Sequence, residues 1–368
     1  MPAQSEQAID FLATASQSAG VPFVVVLADF HYLDEAPDDL REALEGWIYR
    51  LPENCHVILS GRTQPQLGVI PIMSVRQEVD RITASDFSFT CDEVVNLFRE
   101  VLGKELPLDD AQYLADLTEG WAAALVLMSD KVNATRSASS LEQLRSSDTL
   151  FQYMTREQFG PLPDDVKDFL TGSAVLRAID EEMINQLLGV TDAEEKLAFL
   201  ERRNLFVIRD EAGKHHYRYH RLFRAFLVSH LRAKDPKRFL ELNMNAAALM
   251  EAAEEWEEAV YHYIQAAAWD RIVQVTERVG WRLFEEGRWD TLADWLEAVP
   301  AEELSAQPKL ILWKARILHY LNQVDRALAL LAQAVVSLEA NEDWLALAEA
   351  LMTRGMCLRV KGDYNGSK

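Results

Sequence analysis

With 368 residues the chain has room for two to four domains, and its 49% hydrophobic and 26% charged content is that of a folded globular protein. A net charge of −22 excludes, for the chain as a whole, a role as a nonspecific binder of DNA or anionic membranes. Cys55, Cys91 and Cys357 have neither metal nor redox spacing, residues 1–20 lack the pattern of a secretory signal, and no apolar run nears the ~20 residues of a membrane helix. The expectation is a cytoplasmic protein without membrane contact.

Residues 5–19 read as helix and lead through Gly20 and Pro22 into Phe23–Leu27, an apolar run that continues straight into Asp29. Such a run predicts a strand buried on both faces, as in a parallel sheet. An acid at its carboxyl end sits where open α/β sheets bind ligands; alternatively Asp29 only caps the following turn. A helix follows, with Leu40, Ala43, Leu44, Trp47, Ile48 and Leu51 on one stripe, and then a strand at His56–Leu59. This is a parallel crossover unit. Its second strand ends in Ser60-Gly61-Arg62, where a guanidinium can read a terminal phosphate or simply face water.

Residues 63–80 read as irregular, and Phe87-Ser88-Phe89 as a short strand. Thr90 with Glu93 is a capping box for a helix bearing Val94, Leu97, Phe98 and Val101, which Gly103 ends. A second helix from Leu108 reaches Glu119-Gly120-Trp121, a break before a helix at Ala122–Met128. A Trp there stacks on a purine or belongs to the core. Residues 131–147 are polar and Ser-rich, a linker or lid loop. Helices are predicted at 148–158, 164–172, 180–188 and 193–203. Strands at Leu205–Arg209 and His216–His220 follow around a turn at Asp210–Gly213, and then a helix at Leu222–Leu231. This is a winged-helix pattern, and the acidic start Ala193-Glu194-Glu195 of the helix before the wing points to a structural role. His215, His216 and His220 lack the carboxylate or thiol that would complete a metal set.

From about residue 240 the chain is helical and repeats itself. Glu255–Ala259, Arg288–Leu292, Gln323–Ala327 and Asp363–Gly366 are equivalent turns, spaced by 33, 35 and 40 residues. That is near the ~34-residue period of tetratricopeptide hairpins, which stack into a solenoid with a concave binding face.

The stretches VVVLADFHYLDE, VILSGRTQP, TEGWAAAL at 118–125, NLFVIRD at 204–210, YRYHRLFRAFL at 217–227 and the repeats together resemble the signal-transducing ATPases with numerous domains (STAND). Within that class they resemble the MalT-like, large LuxR-type transcriptional regulators. The resemblance implies a predominantly helical fold: an α/β partial P-loop NTPase domain at 1–89, a helical lid at 90–147, a winged helix at 148–234 and TPR-like repeats at 235–368. It implies a switch that holds ATP or ADP with Mg²⁺, opens when a small-molecule or protein inducer binds the repeats, self-associates, and reaches DNA through a separate helix-turn-helix domain.

The same resemblance assigns Asp29 to the Walker B end, as catalytic acid and magnesium partner, and Arg62 to the phosphate sensor. It puts Gly120 and Trp121 at the adenine side of the lid, and His220 at the bound diphosphate. Three departures qualify it. No G-x-x-x-x-G-K-[ST] loop occurs, the first of the family's two Walker B acids is Ala28, and no basic helix-turn-helix follows the repeats. The expectations are therefore a chain truncated at both ends, weak or no hydrolysis, and an inactive fragment. A non-hydrolysing TPR-type interaction scaffold and a STAND defence ATPase with another effector remain alternatives.

Overall fold

The computed structural model describes Thr14 and residues 21–33, 37–61, 64–132, 148–203, 205–209, 217–363 and 366. The predicted helix at 5–19, apart from Thr14, the Ser-rich stretch after residue 132 and the wing's turn lie outside them. By contact the chain divides into two compact units: residues 1–170 with 177–227, and residues 171–176 with 228–368.

The first unit opens with β1 (Phe23–Leu27), α1 (Asp38–Tyr49) and β2 (Cys55–Leu59). β1 and β2 pair in parallel from Phe23 opposite Cys55 to Leu27 opposite Leu59, as the crossover pattern requires. The stripe of α1 packs below them, in a core of Phe30, Leu44, Trp47, Ile48, Leu67 and Val69. Burial corrects one expectation: among the described residues, only one face of the strands is covered. Val24 and Val26 are 54% and 58% exposed, because the described part of this sheet has two strands and one helical layer. A second correction is α2 (Val69–Val75), inside the stretch read as irregular. Glu45 of α1 accepts the Gly68 N–H at its start, and Val69 reaches the core. That tertiary anchor has no local sequence signal.

The expected strand at Phe87–Phe89 is not one. Ala84–Phe87 forms a 3₁₀ turn capped by Thr83 and Asp86, while the Phe89 N–H donates to the Gly120 carbonyl at 2.9 Å. Local caps outcompete a strand that lacks a ladder partner. The Thr90–Glu93 box does cap α3 (Cys91–Asn96), which continues as a π-turn to Val101 before Gly103 at φ 65°. Next come α4 (Leu108–Thr118) and α5 (Ala122–Val132), then α6 (Asp148–Tyr153), α7 (Asp164–Ser173), α8 (Glu181–Leu188) and α9 (Ala193–Arg202). β3 (Val207–Arg209) and β4 (Tyr217–Tyr219) pair antiparallel, and α10 (Arg221–Lys234) follows. His215 and His216 lie outside the described residues.

The second unit is a stack of helical hairpins: α11 (Pro236–Ala252), α12 (Trp256–Gln265), α13 (Trp269–Glu285), α14 (Trp289–Glu297), α15 (Ala301–Ala306), α16 (Pro308–Tyr320), α17 (Val324–Ala340) and α18 (Trp344–Val360). The predicted equivalent turns are equivalent in backbone too. Glu254, Gly287, Asn322 and Gly362 hold the same place in each and all have left-handed φ, at 60°, 74°, 58° and 81°. Each such residue follows a helix end, and at Glu254, Gly287 and Asn322 the next helix folds back on the one before.

Candidate functional site

At the end of β1 the ladder stops at Leu27, and Ala28 and Asp29 fall in the turn that follows. Asp29 is left-handed at φ 55°, its side chain is 70% exposed, and one carboxylate oxygen lies 4.0 Å from His31 Nδ1. The turn is fixed to β2 by the Phe30 N–H, which donates to the Ser60 carbonyl at 2.8 Å. Asp29 thus stands in the open at the carboxyl end of a parallel strand. Arg62 lies outside the described residues.

The other candidate residues meet in one place, where the α4–α5 turn faces the winged helix. Glu119 is the left-handed cap of α4, at φ 50°, and Gly120 follows at φ 73°. Gly120 is there because no other residue fits: a Cβ would lie 2.5 Å from the Phe89 nitrogen and 2.7 Å from its oxygen. The last carbonyls of a helix have no partner within it. Here the winged helix supplies partners. His220 Nε2 lies 2.9 Å from the buried Thr118 carbonyl, and Arg221 Nη1 donates to the Asp116 carbonyl at 3.3 Å. Both place donors at the negative end of the α4 dipole.

The His220 ring has a defined tautomer. The Leu222 N–H donates to Nδ1 at 3.2 Å, so in the neutral ring the proton sits on Nε2 and points at Thr118. Burial pushes its pKa below the ordinary histidine value. The Glu119 carboxylate and the Thr118 carbonyl pull it up, and Arg218 and Arg221 reinforce the downward shift. Glu119 itself accepts from Arg218 Nη1 at 2.9 Å and from the Arg221 N–H at 3.0 Å. Burial would raise its pKa, but the Arg218 hydrogen bond, the His220 charge and the Arg221 N–H outweigh that and hold it low.

Trp121 is half-buried among Phe206, His220 and Tyr153, at ring separations of 5.0, 5.9 and 6.1 Å. Phe206 adopts φ 58°, a costly conformation for a bulky residue, and its carbonyl accepts the His220 N–H at 2.8 Å. Of the residues singled out by sequence, the structure brings Gly120, Trp121 and His220 together, and places Asp29 in the strand-end turn. Sequence reasoning missed Glu119, Arg218, Arg221 and Phe206. Three of them lie inside the stretches TEGWAAAL and YRYHRLFRAFL, where an acid and two arginines about a hundred residues apart gave no sign of being partners.

A winged helix, seated on a helical turn and followed by a hairpin solenoid, is the class of architecture this chain defines. Residues 155–239 match the MalT winged helix domain. The chain is 26% identical over 361 residues to the HTH-type transcriptional regulator MalT of Vibrio parahaemolyticus, covering 90% of this chain and 40% of that protein. It is 29% identical over 329 residues to MalT of Serratia proteamaculans, covering 85% of this chain and 35% of that protein. The chain is thus MalT-like over most of its length, and it spans well under half of those relatives. A solved STAND protein with a tetratricopeptide repeat sensor from Pyrococcus horikoshii aligns with 98% of this chain and 53% of its own, at 16% identity and a TM-score of 0.43.

Among the described residues, no group of three or more His, Cys, Asp or Glu could hold a metal ion, and no helix is long and apolar enough to cross a membrane. A magnesium-bound nucleotide needs a backbone cradle for its phosphates and several oxygen ligands for the metal. Asp29 offers one exposed carboxylate and Ala28 none. The described residues do not by themselves fit that ligand pair.

Proposed function

We propose that this chain is the switch and sensor portion of a MalT-like transcriptional regulator. The observation that carries the reading is the winged helix at 155–239, matched to MalT and closed onto the Thr118–Trp121 turn through His220, Arg218 and Arg221. In this reading residues 1–89 are the carboxyl part of a P-loop NTPase domain, 90–147 the lid, 148–234 the winged helix and 235–368 the sensor repeats. ATP or ADP with Mg²⁺ binds with Asp29, Arg62, Gly120, Trp121 and His220 near it, once a phosphate loop from elsewhere completes the cradle. A small molecule or protein inducer binds the repeats, the protein self-associates in the cytoplasm, and DNA is met through another domain. With Ala28 at the first acid position, the module works by binding rather than by fast turnover.

The test is transcript profiling of cells with the gene, without it, and with the region encoding 235–368 removed in frame. A defined transcript set should depend on the gene and lose its inducibility without the repeats. An unchanged profile in all three would replace this reading with the interaction scaffold. The chain alone should show no sequence-selective DNA binding in a shift assay at ~150 mM salt, where weak charge contacts no longer dominate.

A further inference from the structure

The joint between the α4–α5 turn and the winged helix has three features that go together. Its hydrogen bonds converge on one buried titratable residue, 6% exposed: the Thr118 carbonyl and the Leu222 N–H meet the two ring nitrogens of His220, and the Phe206 carbonyl accepts its backbone N–H. Two of its non-glycine residues, Glu119 and Phe206, are held in left-handed backbone conformations. Such conformations are costly for residues other than glycine, so the joint holds backbone strain. Finally, the bond from the Leu222 N–H requires a lone pair on Nδ1, which only the neutral ring has.

We infer that the α4–α5 turn and the winged helix form a proton-operated clasp, closed while the His220 ring is neutral and loosened when the ring takes a second proton. Protonation turns Nδ1 into a donor facing the Leu222 N–H, so two donors then oppose each other in a buried site. Among the described residues, the charged groups facing the ring are Glu119 on the turn after α4, Arg218 on β4 and Arg221 on α10. The other contacts, from Trp121, Phe206 and the Thr118 carbonyl, carry no net charge. Glu119 favours the charged ring, but it is already committed to Arg218 and to the Arg221 N–H.

The direction of the pH effect follows from linkage. A histidine whose pKa is lowered in the closed state stabilises that state fully above its ordinary value, ~6.5, and progressively less as pH falls below it. Glu119, held below its ordinary value, stays ionised through that window, so the effect belongs to His220. The clasp needs no nucleotide, and it stands whether or not the nucleotide reading holds.

The experiment is amide hydrogen exchange on the purified chain at pH 7.5 and 5.5, corrected for intrinsic exchange rates. The peptides read are those spanning 113–125 and 217–224, with 308–340 of the repeats as control. Opening at the joint should rise by up to about tenfold from the higher to the lower pH, the limit for an imidazole that regains its ordinary pKa when freed. The control should not change. His220→Gln keeps an N–H for Thr118 but cannot titrate, and should make the joint's exchange independent of pH. Glu119→Gln removes an acid that favours the charged ring, so its rise between the two pH values should be at least as large as the parent's. A parent change below about twofold, a pH response that persists in His220→Gln, or a smaller rise in Glu119→Gln than in the parent would each overturn the clasp.

Discussion

The joint at His220 and the hairpin stack of the repeats bury their contacts in opposite ways. In the joint, residues about a hundred positions apart meet through charged groups, a buried imidazole and strained backbone. In the repeats, each helix meets its sequence neighbours, and the polar contacts are accessories to apolar packing. Two glycines mark the difference. Gly120 brings backbone against backbone, at Phe89, whereas Gly280 brings α13 against the Trp313 ring, 2.7 Å from where a Cβ would be. Backbone cannot yield, but a ring can tilt. A joint of the first kind is built to be in one state or the other; a stack of the second kind tolerates small adjustments along its length.

The largest effect should come from Gly120→Ala. Left-handed strain adds to a clash with fixed backbone, for a loss of about 3 kcal/mol or more. Urea unfolding, read by exchange in the 113–125 peptide, checks it; a loss under about 1 kcal/mol would show that Phe89 can move away. Gly280→Ala should cost less, about 1–3 kcal/mol, because the Trp313 ring can shift within its aromatic surroundings. Equal losses at the two glycines would erase the contrast between the regions.

Arg316 tests whether charge matters inside the stack. Its guanidinium lies over both Trp281 and Trp313, 4.5 and 4.8 Å from their ring centroids, and pairs with Glu349 at 2.7 Å. Arg316→Met keeps the stem but loses both interactions, and should cost about 1–2 kcal/mol by thermal or urea unfolding of the repeats. A neutral result would make the aromatic pair self-sufficient.

Glu119→Gln should weaken the joint by about 1 kcal/mol, since the amide keeps an acceptor but loses charge. The Glu119 carboxylate is held low when folded, so its contribution is present above the ordinary range near 4.5 and disappears as pH falls through the folded value. In the parent, acid titration below pH ~4.5 should therefore remove an increment that Glu119→Gln lacks from the start. The smallest effect belongs to Lys309→Met. This lysine bridges Glu277 and Asp343 at the surface, and its loss should cost under about 1 kcal/mol and vanish at high salt.

Much of the fold was legible because its signals are local. The stripe of α1, the Thr90–Glu93 box and the equivalent turns of the repeats are each set by residues a few positions apart, and the structure holds all of them. The signals failed where distant contacts decide. α2 forms because Glu45 and a core site receive it, and Phe89 extends because Gly120 bonds it rather than because a strand pairs with it. The candidate site divides the same way. Gly120 and Trp121 stood out as a helix break, and His220 through a resemblance, but their common location could not be read from any spacing.

By itself the sequence determined periodicity and punctuation: most of the helices, where hairpins turn, one parallel crossover, and that a winged helix precedes a solenoid. These follow from side-chain pattern and backbone preference, which act over one or two turns. Only the tertiary structure decided that one face of β1 and β2 is open, that Asp29 stands in a turn beyond the ladder, and that the Thr118 carbonyl is satisfied by His220. Those outcomes depend on which distant group reaches a buried donor or acceptor first. That is a matter of packing in three dimensions, where an unsatisfied polar group is costly and its partner can come from anywhere along the chain.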